Sequence, residues 1–407
     1  MMDRENETVS PTQRLHDFDA LRAAAMLLGI TLHACSAYRG ANGPVRDVSS
    51  DKTALFDEFF HAGHGFRMQL FFILSGFFTA MLHQRRGCGA MVKQRAIRIL
   101  VPLVVGIFTI VPVTRWLRIR LGSEDWIERR NVAVDGSIEI PWSGPFEHLW
   151  FLWFLTIFVA GYGLLVAVRL LVRSLTGWRG ELPPWSVNVA MGVLLVTTWG
   201  CQYLMLSSRK NPYFGAPAPL SVIPDARIAA YYAAFFCFGI VMHSVQTSTG
   251  RPFVGTTGNR WMYVLPFSIL IAFPLALDAT YGEHRTALLV SACLQAVYTW
   301  SMIYGSAGLF RRLMRKDNRR IRYVSDSAYW LYLMHPPLVL LGQSTMKDWP
   351  LSASVKFIGL NLVVMALLIV SYQLFVRYTP IGWTLNGRRT RPLPDTSIRT
   401  RLKATLG

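Results

Sequence analysis

Ten residues separate Arg22 from His33, an eleven-position step within DALRAAAMLLGITLHACSAY (19–38), an otherwise apolar stretch. A helix turns about 100° per residue, so eleven steps bring the two within about 20° of one direction, roughly 16 Å apart along the axis. Asp19, Met26, Gly29 and Ser36 fall near the same stripe. A charged group facing lipid costs several kcal/mol, so this stripe is expected to face protein or a water-filled cavity. Two readings follow. Either Arg22 snorkels to one interface while His33 bonds within the bundle, or the stripe is one wall of a reaction channel.

A second polar set opens HAGHGFRMQLFFILSGFF (61–78). His61, His64 and Arg67 are three apart and share a loose helical face, and Ser75, eleven beyond His64, returns to it. His33 and Arg67 each lie five residues below the outer end of their segments. That equal depth suits a general base beside an oxyanion stabiliser, with Arg67 or Ser75 in the second role. Glu147 and His148 stand at the mouth of EHLWFLWFL (147–155), followed by Trp150 and Trp153, which also read as interfacial anchors. His335 lies inside SAYWLYLMHPPLVLL (327–341), with Tyr329 and Tyr332 before it and two prolines after. It reads equally as a satisfied core histidine or a channel residue. Lys93, Arg95 and Arg98 crowd the entrance to another apolar segment, just before Pro102, where a cytosolic polyphosphate would find counter-charges.

These residues need helices in a bilayer to hold them. Of 407 residues, 52% are hydrophobic and 16% charged, and apolar runs recur along the whole chain. That composition specifies an all-α, polytopic transmembrane bundle rather than soluble domains. About ten spans are expected: 18–38, 62–82, 97–114, 148–171, 186–206, 228–245, 261–279, 286–308, 327–346 and 354–377. The first is expected to be retained rather than cleaved. Residues 1–17 then form an N-terminal tail, 18–380 the membrane domain and 381–407 a basic C-terminal tail. The net charge of +19 is concentrated in 84–98, 311–322 and 388–403, so the positive-inside rule puts both termini in the cytoplasm. Those basic stretches fit anionic lipid and topology; nucleic acid is not expected. The five cysteines are scattered singly, with no metal-ligand spacing, so neither a metal nor a disulfide framework is expected. Loops 115–147 and 207–227 mix aromatic with polar residues, a composition that suits carbohydrate or the membrane interface equally.

Taken together, the Arg22–His33 spacing, FRMQLFFILSGFF (66–78), RAIRILVPL (95–103), HLWFL (148–152) and YLMHPPL (332–338) resemble the signature of the acyltransferase-3 family of membrane acyltransferases. The second motif, with Gln69, looks closest to the branch that succinylates osmoregulated periplasmic glucans. Pro336 stands where that branch is expected to carry a second histidine. The resemblance covers spans one to four and nine, the rest matching in hydropathy and number alone. It implies that His33 is the essential histidine and Arg22 its paired arginine. Arg95 and Arg98 would lie on the acyl-donor side, and Ser75 and Gly76 match the SGF of the second motif. It further implies an acyl-CoA donor (succinyl-CoA or acetyl-CoA) as substrate, with no permanently bound cofactor. The acceptor would be a periplasmic glucan or another envelope polysaccharide, and the location the bacterial inner membrane.

In that reading the phosphates rest by Arg95, Arg98, Lys93 and Arg22. The pantetheine arm passes Gly29, where the missing side chain leaves room, and His33 accepts the proton of an attacking hydroxyl. His64, Glu147, His148, Trp150 and His335 are expected on the acceptor side or along the channel. The rivals are O-acetylation of lipopolysaccharide or exopolysaccharide, a transporter, and a non-catalytic scaffold subunit.

Overall fold

The structure is a computed structural model that describes residues 16–39, 43–49, 54–124, 145–177, 183, 185–208, 213–219, 221–250, 258–281, 288–314, 318–387 and 389. Nearly all of residues 1–17 and 388–407, and Trp126 and Trp142 of the longest loop, lie outside them.

Among the described residues the chain is helical, without a strand. The helices are α1 (His16–Cys35), α2 (Leu55–Arg95), α3 (Val101–Phe108), α4 (Ile110–Leu121), α5 (Trp150–Thr176), α6 (Trp185–Ser207) and α7 (Ala226–Thr249). They continue with α8 (Trp261–Phe267), α9 (Phe273–Tyr281), α10 (Leu288–Leu313), α11 (Arg319–Met346), α12 (Ala353–Ser371) and α13 (Pro380–Asn386). Single π turns join α2 to α3, α8 to α9, and extend α12.

Among the described residues each of the ten expected spans falls on helix, and seven helical stretches are long and apolar enough to cross a membrane, or up to eight if a bent pair counts as one. The bent pair is the run from α2 to α4, which turns by 41° at Thr109. Within α2 the expected second and third spans part at Gly87, whose φ of 80° and ψ of 168° only glycine adopts readily. The third continues through α4 to Leu121, well past the expected end at 114. The expected ninth span corresponds to α11, whose first turns carry Arg319, Arg320 and Arg322.

The core is one apolar cluster running through the bundle, rich in Phe and Tyr. Leu164, Leu165, Leu270, Leu362 and Phe375 face outward, as lipid contact requires. Among the described residues α2 packs most extensively against α7. A Cβ on Gly76 would stand 1.9 Å from Phe236 O, and one on Gly239 2.0 Å from Ile73 O, so the two backbones touch where each lacks a side chain. α1 packs along α11 and α2. The segment expected to open the C-terminal tail is partly structured: α13 packs under α11, and Arg389 pairs with Asp326 at 2.5 Å.

Candidate active site

From Asp19 to His33 the α1 stripe lines open space. Two cavities abut on it, one of about 180 Å³ holding His33 and one of about 440 Å³ holding Arg22. Met26 of α1, Phe71 of α2 and Phe151 of α5 line both. These three side chains form the neck between a histidine chamber and a basic chamber. One helical face thus carries the arginine, the neck and the imidazole in turn.

The histidine chamber gathers His33 of α1, His335 of α11 and His148, just before α5. The ring centres of His33 and His335 are 4.8 Å apart, and those of His148 and His335 5.6 Å. His335 Nδ1 lies 2.7 Å from Tyr332 O and 3.3 Å from Leu331 O, while His148 Nε2 lies 3.1 Å from Leu333 O. The Tyr332 hydroxyl donates back to His148 O at 2.7 Å, so α11 and the start of α5 are tied reciprocally. Gln343 of α11 donates to the His33 and Ala34 carbonyls at 3.0 Å each and to Ser36 Oγ at 3.2 Å. It thereby satisfies carbonyls at the end of α1 and fixes the depth of His33.

Charge in this chamber is unequally matched. Glu147 is buried, at a φ of 47° that is strained for any residue but glycine, and pairs with Arg118 and, at 3.5 Å, with Arg115. Arg67 has no carboxylate partner among the described residues; its Nη2 lies 3.5 Å from Met68 Sδ, and its buried Nε has no acceptor. The guanidinium lies against Gly29, where Nη1 would be 1.8 Å from a Cβ. Trp150 and Tyr332 complete the wall nearby.

The basic chamber is lined by Arg22, Arg95, Arg98 and Arg389 against Asp19 and Asp326. Arg22 pairs with Asp19 at 3.3 Å. Arg98 sits in the π turn Ala96–Leu100, a distortion common at functional positions, and its carbonyl accepts from the Tyr329 hydroxyl at 2.6 Å. Four guanidiniums around one cavity suit an anion with several oxygens.

Several expected placements change. Ser75 lines the basic chamber, not the one holding His33, because the eleven steps that return it to the His64 face also carry it about 16 Å along α2. His64 lies away from both chambers. Its Nε2 meets Ala216 O at 3.0 Å and its ring stacks on Phe60, so it is a satisfied bundle histidine. Lys93 is exposed and outside the basic chamber. Gly29 does leave room, but Arg67 fills it. Arg118, assigned by hydropathy to a loop, lines the histidine chamber because α4 continues beyond 114; its three-residue spacing from Arg115 was the available signal. Among the described residues no group of His, Cys, Asp and Glu is arranged to hold a metal ion.

This polytopic helical bundle is a membrane acyltransferase: an acyltransferase-domain family profile matches residues 15–374, and the chain belongs to that family. It is similar to the glucans biosynthesis protein C of Salmonella typhimurium strain LT2 and to that of Salmonella typhi. Each is 24% identical over 388 residues, covering 93% of this chain and 96% of the relative. No solved structure matches the chain at a significant level.

Proposed function

We propose that the protein moves an acyl group, succinyl in preference, from cytosolic acyl-CoA to a hydroxyl of a periplasmic glucan in the bacterial inner membrane. The observation that carries this reading is the pair of abutting chambers sharing Met26, Phe71 and Phe151. The phosphates of CoA rest among Arg22, Arg95, Arg98 and Arg389, with both termini on that side. The pantetheine arm enters the neck, and its thioester reaches His33. The roughly 16 Å between Arg22 and His33 is within the span of an extended chain of that length.

His33 removes the proton of the sugar hydroxyl as its oxygen attacks the thioester carbon. The new C–O bond forms, the C–S bond breaks, and the thiolate leaves with the proton as free CoA. Arg67 steadies the oxyanion between those events, since Ser75 stands in the other chamber. Succinyl is preferred because Arg67 and Arg118 both line the chamber while its one carboxylate, Glu147, pairs with Arg118, so a carboxylate on the acyl group meets net positive charge.

Mass spectrometry of periplasmic glucans from cells with and without the gene tests this. A succinyl increment lost with the gene is expected. An acetyl increment would reassign the donor, a modified lipopolysaccharide or exopolysaccharide would reassign the acceptor, and unaltered envelope sugars would reject the reading.

A further inference from the structure

Three prolines lie inside helices beside the site: Pro336 and Pro337 in α11, and Pro102 in α3. Each lacks the N–H that would bond the carbonyl four residues earlier. Those carbonyls belong to Tyr332, Leu333 and Arg98. All three are taken by side chains of the site instead: by His335 Nδ1 at 2.7 Å, His148 Nε2 at 3.1 Å and the Tyr329 hydroxyl at 2.6 Å. Chance placement of these three prolines gives no reason for all three vacated carbonyls to be claimed this way.

A carbonyl oxygen only accepts, so the ring nitrogen facing it carries the hydrogen and the opposite nitrogen keeps its lone pair. That leaves His335 Nε2 and His148 Nδ1 as acceptors, both buried and both without a partner among the described residues. We propose that Pro336 and Pro337 are positioning residues that set the tautomers of His335 and His148. By withholding two backbone donors, they hold both rings with lone pairs toward the chamber. The donors those lone pairs await are a neighbouring hydroxyl of the acceptor sugar and the ring N–H of His33, whose ring centre is 4.8 Å from that of His335. This last consequence rests on the acyl-transfer reading; the tautomer assignment does not.

The test is a long-range proton–nitrogen correlation on histidine-labelled protein in detergent, with His335→Gln and His148→Gln assigning the signals. Pro336→Ala returns a donor to Tyr332 O, and Pro337→Ala returns one to Leu333 O. Alanine is far the better helix former, so both variants are expected to insert and fold. In the unmodified protein His335 is expected to be protonated at Nδ1 and His148 at Nε2. Pro336→Ala should shift His335 alone and Pro337→Ala His148 alone toward mixed tautomers, with kcat down about tenfold or more and a displaced pH profile. Rings in the opposite tautomers, or tautomers unmoved in both variants, would overturn the proposal, even where activity falls. Tautomers that move as expected in a protein with no acyl transfer would sink the acyl-transfer reading and leave this one standing.

Discussion

Arg67 occupies the place where Gly29 has no side chain: its Nη1 lies 1.8 Å from where a Cβ would stand. The two residues are therefore one device, with glycine on α1 seating a guanidinium from α2. Gly29→Ala is expected to displace Arg67 and lower turnover by about a hundredfold, the cost of an ångström-scale misplacement. Stability should hold or rise slightly, since alanine favours helix. Adding Gly29→Ala to Arg67→Gln should cost little more than Arg67→Gln alone. Kinetics and thermal midpoints of the three variants check this, and additive losses would separate the two residues.

Arg67→Gln distinguishes an oxyanion group from a reader of the acyl carboxylate. If Arg67 steadies the oxyanion, kcat falls by about 10²–10³ with succinyl-CoA and acetyl-CoA alike, and KM changes little. A loss confined to succinyl-CoA would assign Arg67 to the carboxylate instead.

Much of this site was legible in the sequence where one helix carried the information. The eleven-residue interval placed Arg22 and His33 on one face of α1, and the cavities follow that face. Depth is less legible: the angle alone returns Ser75 to the His64 face, while the axial rise carries it to the other chamber. Long-range partners were not legible at all. The carbonyl that satisfies His64 belongs to Ala216, 152 residues on, and no local pattern predicts such a meeting. Hydropathy ended the third span at 114 because α4 carries Arg115, Arg118 and Arg120, yet Arg118 points into the histidine chamber. The prolines of α11 were visible as helix breakers, but their use depended on which rings lay opposite the freed carbonyls.

Lys356 of α12 and Asp47 form a buried pair at 2.7 Å, with side-chain exposures of 0% and 2%. Lys356 also reaches the carbonyls of Lys347 and Trp349. Lys356→Met leaves the Asp47 carboxylate buried without its cation and is expected to destabilise by about 3–5 kcal/mol. Replacing both partners with apolar residues should recover much of that loss. Thermal unfolding in detergent reads the difference, and equal midpoints for the single variant and the native protein would mean the pair is inert.

The neck makes a separable prediction. Met26, Phe71 and Phe151 line both chambers, so bulk added there obstructs passage without touching either set of polar groups. Met26→Trp is expected to abolish transfer while binding of 3′-phosphoadenosine 5′-diphosphate, the phosphate end of CoA without its pantetheine arm, changes by less than about threefold. Transfer that survives in Met26→Trp would route the donor by another path.

The two ends of the α1 stripe should fail in different ways. His33→Ala removes the base and leaves the basic chamber intact, so CoA affinity is expected to persist while turnover falls by about 10²–10⁴. Arg98→Ala removes one of four guanidiniums around the phosphates. A charge-assisted contact is worth about 1.5–3 kcal/mol, so CoA binding should weaken roughly ten- to hundredfold. Turnover at saturating donor should stay near the native rate, because Arg98 lies across the neck from the imidazoles. Titrating CoA against both proteins and measuring transfer at saturation separates the cases. Unchanged affinity in Arg98→Ala would remove it from the donor site, and near-normal transfer by a well-inserted His33→Ala protein would pass the base role to His335, the ring beside it.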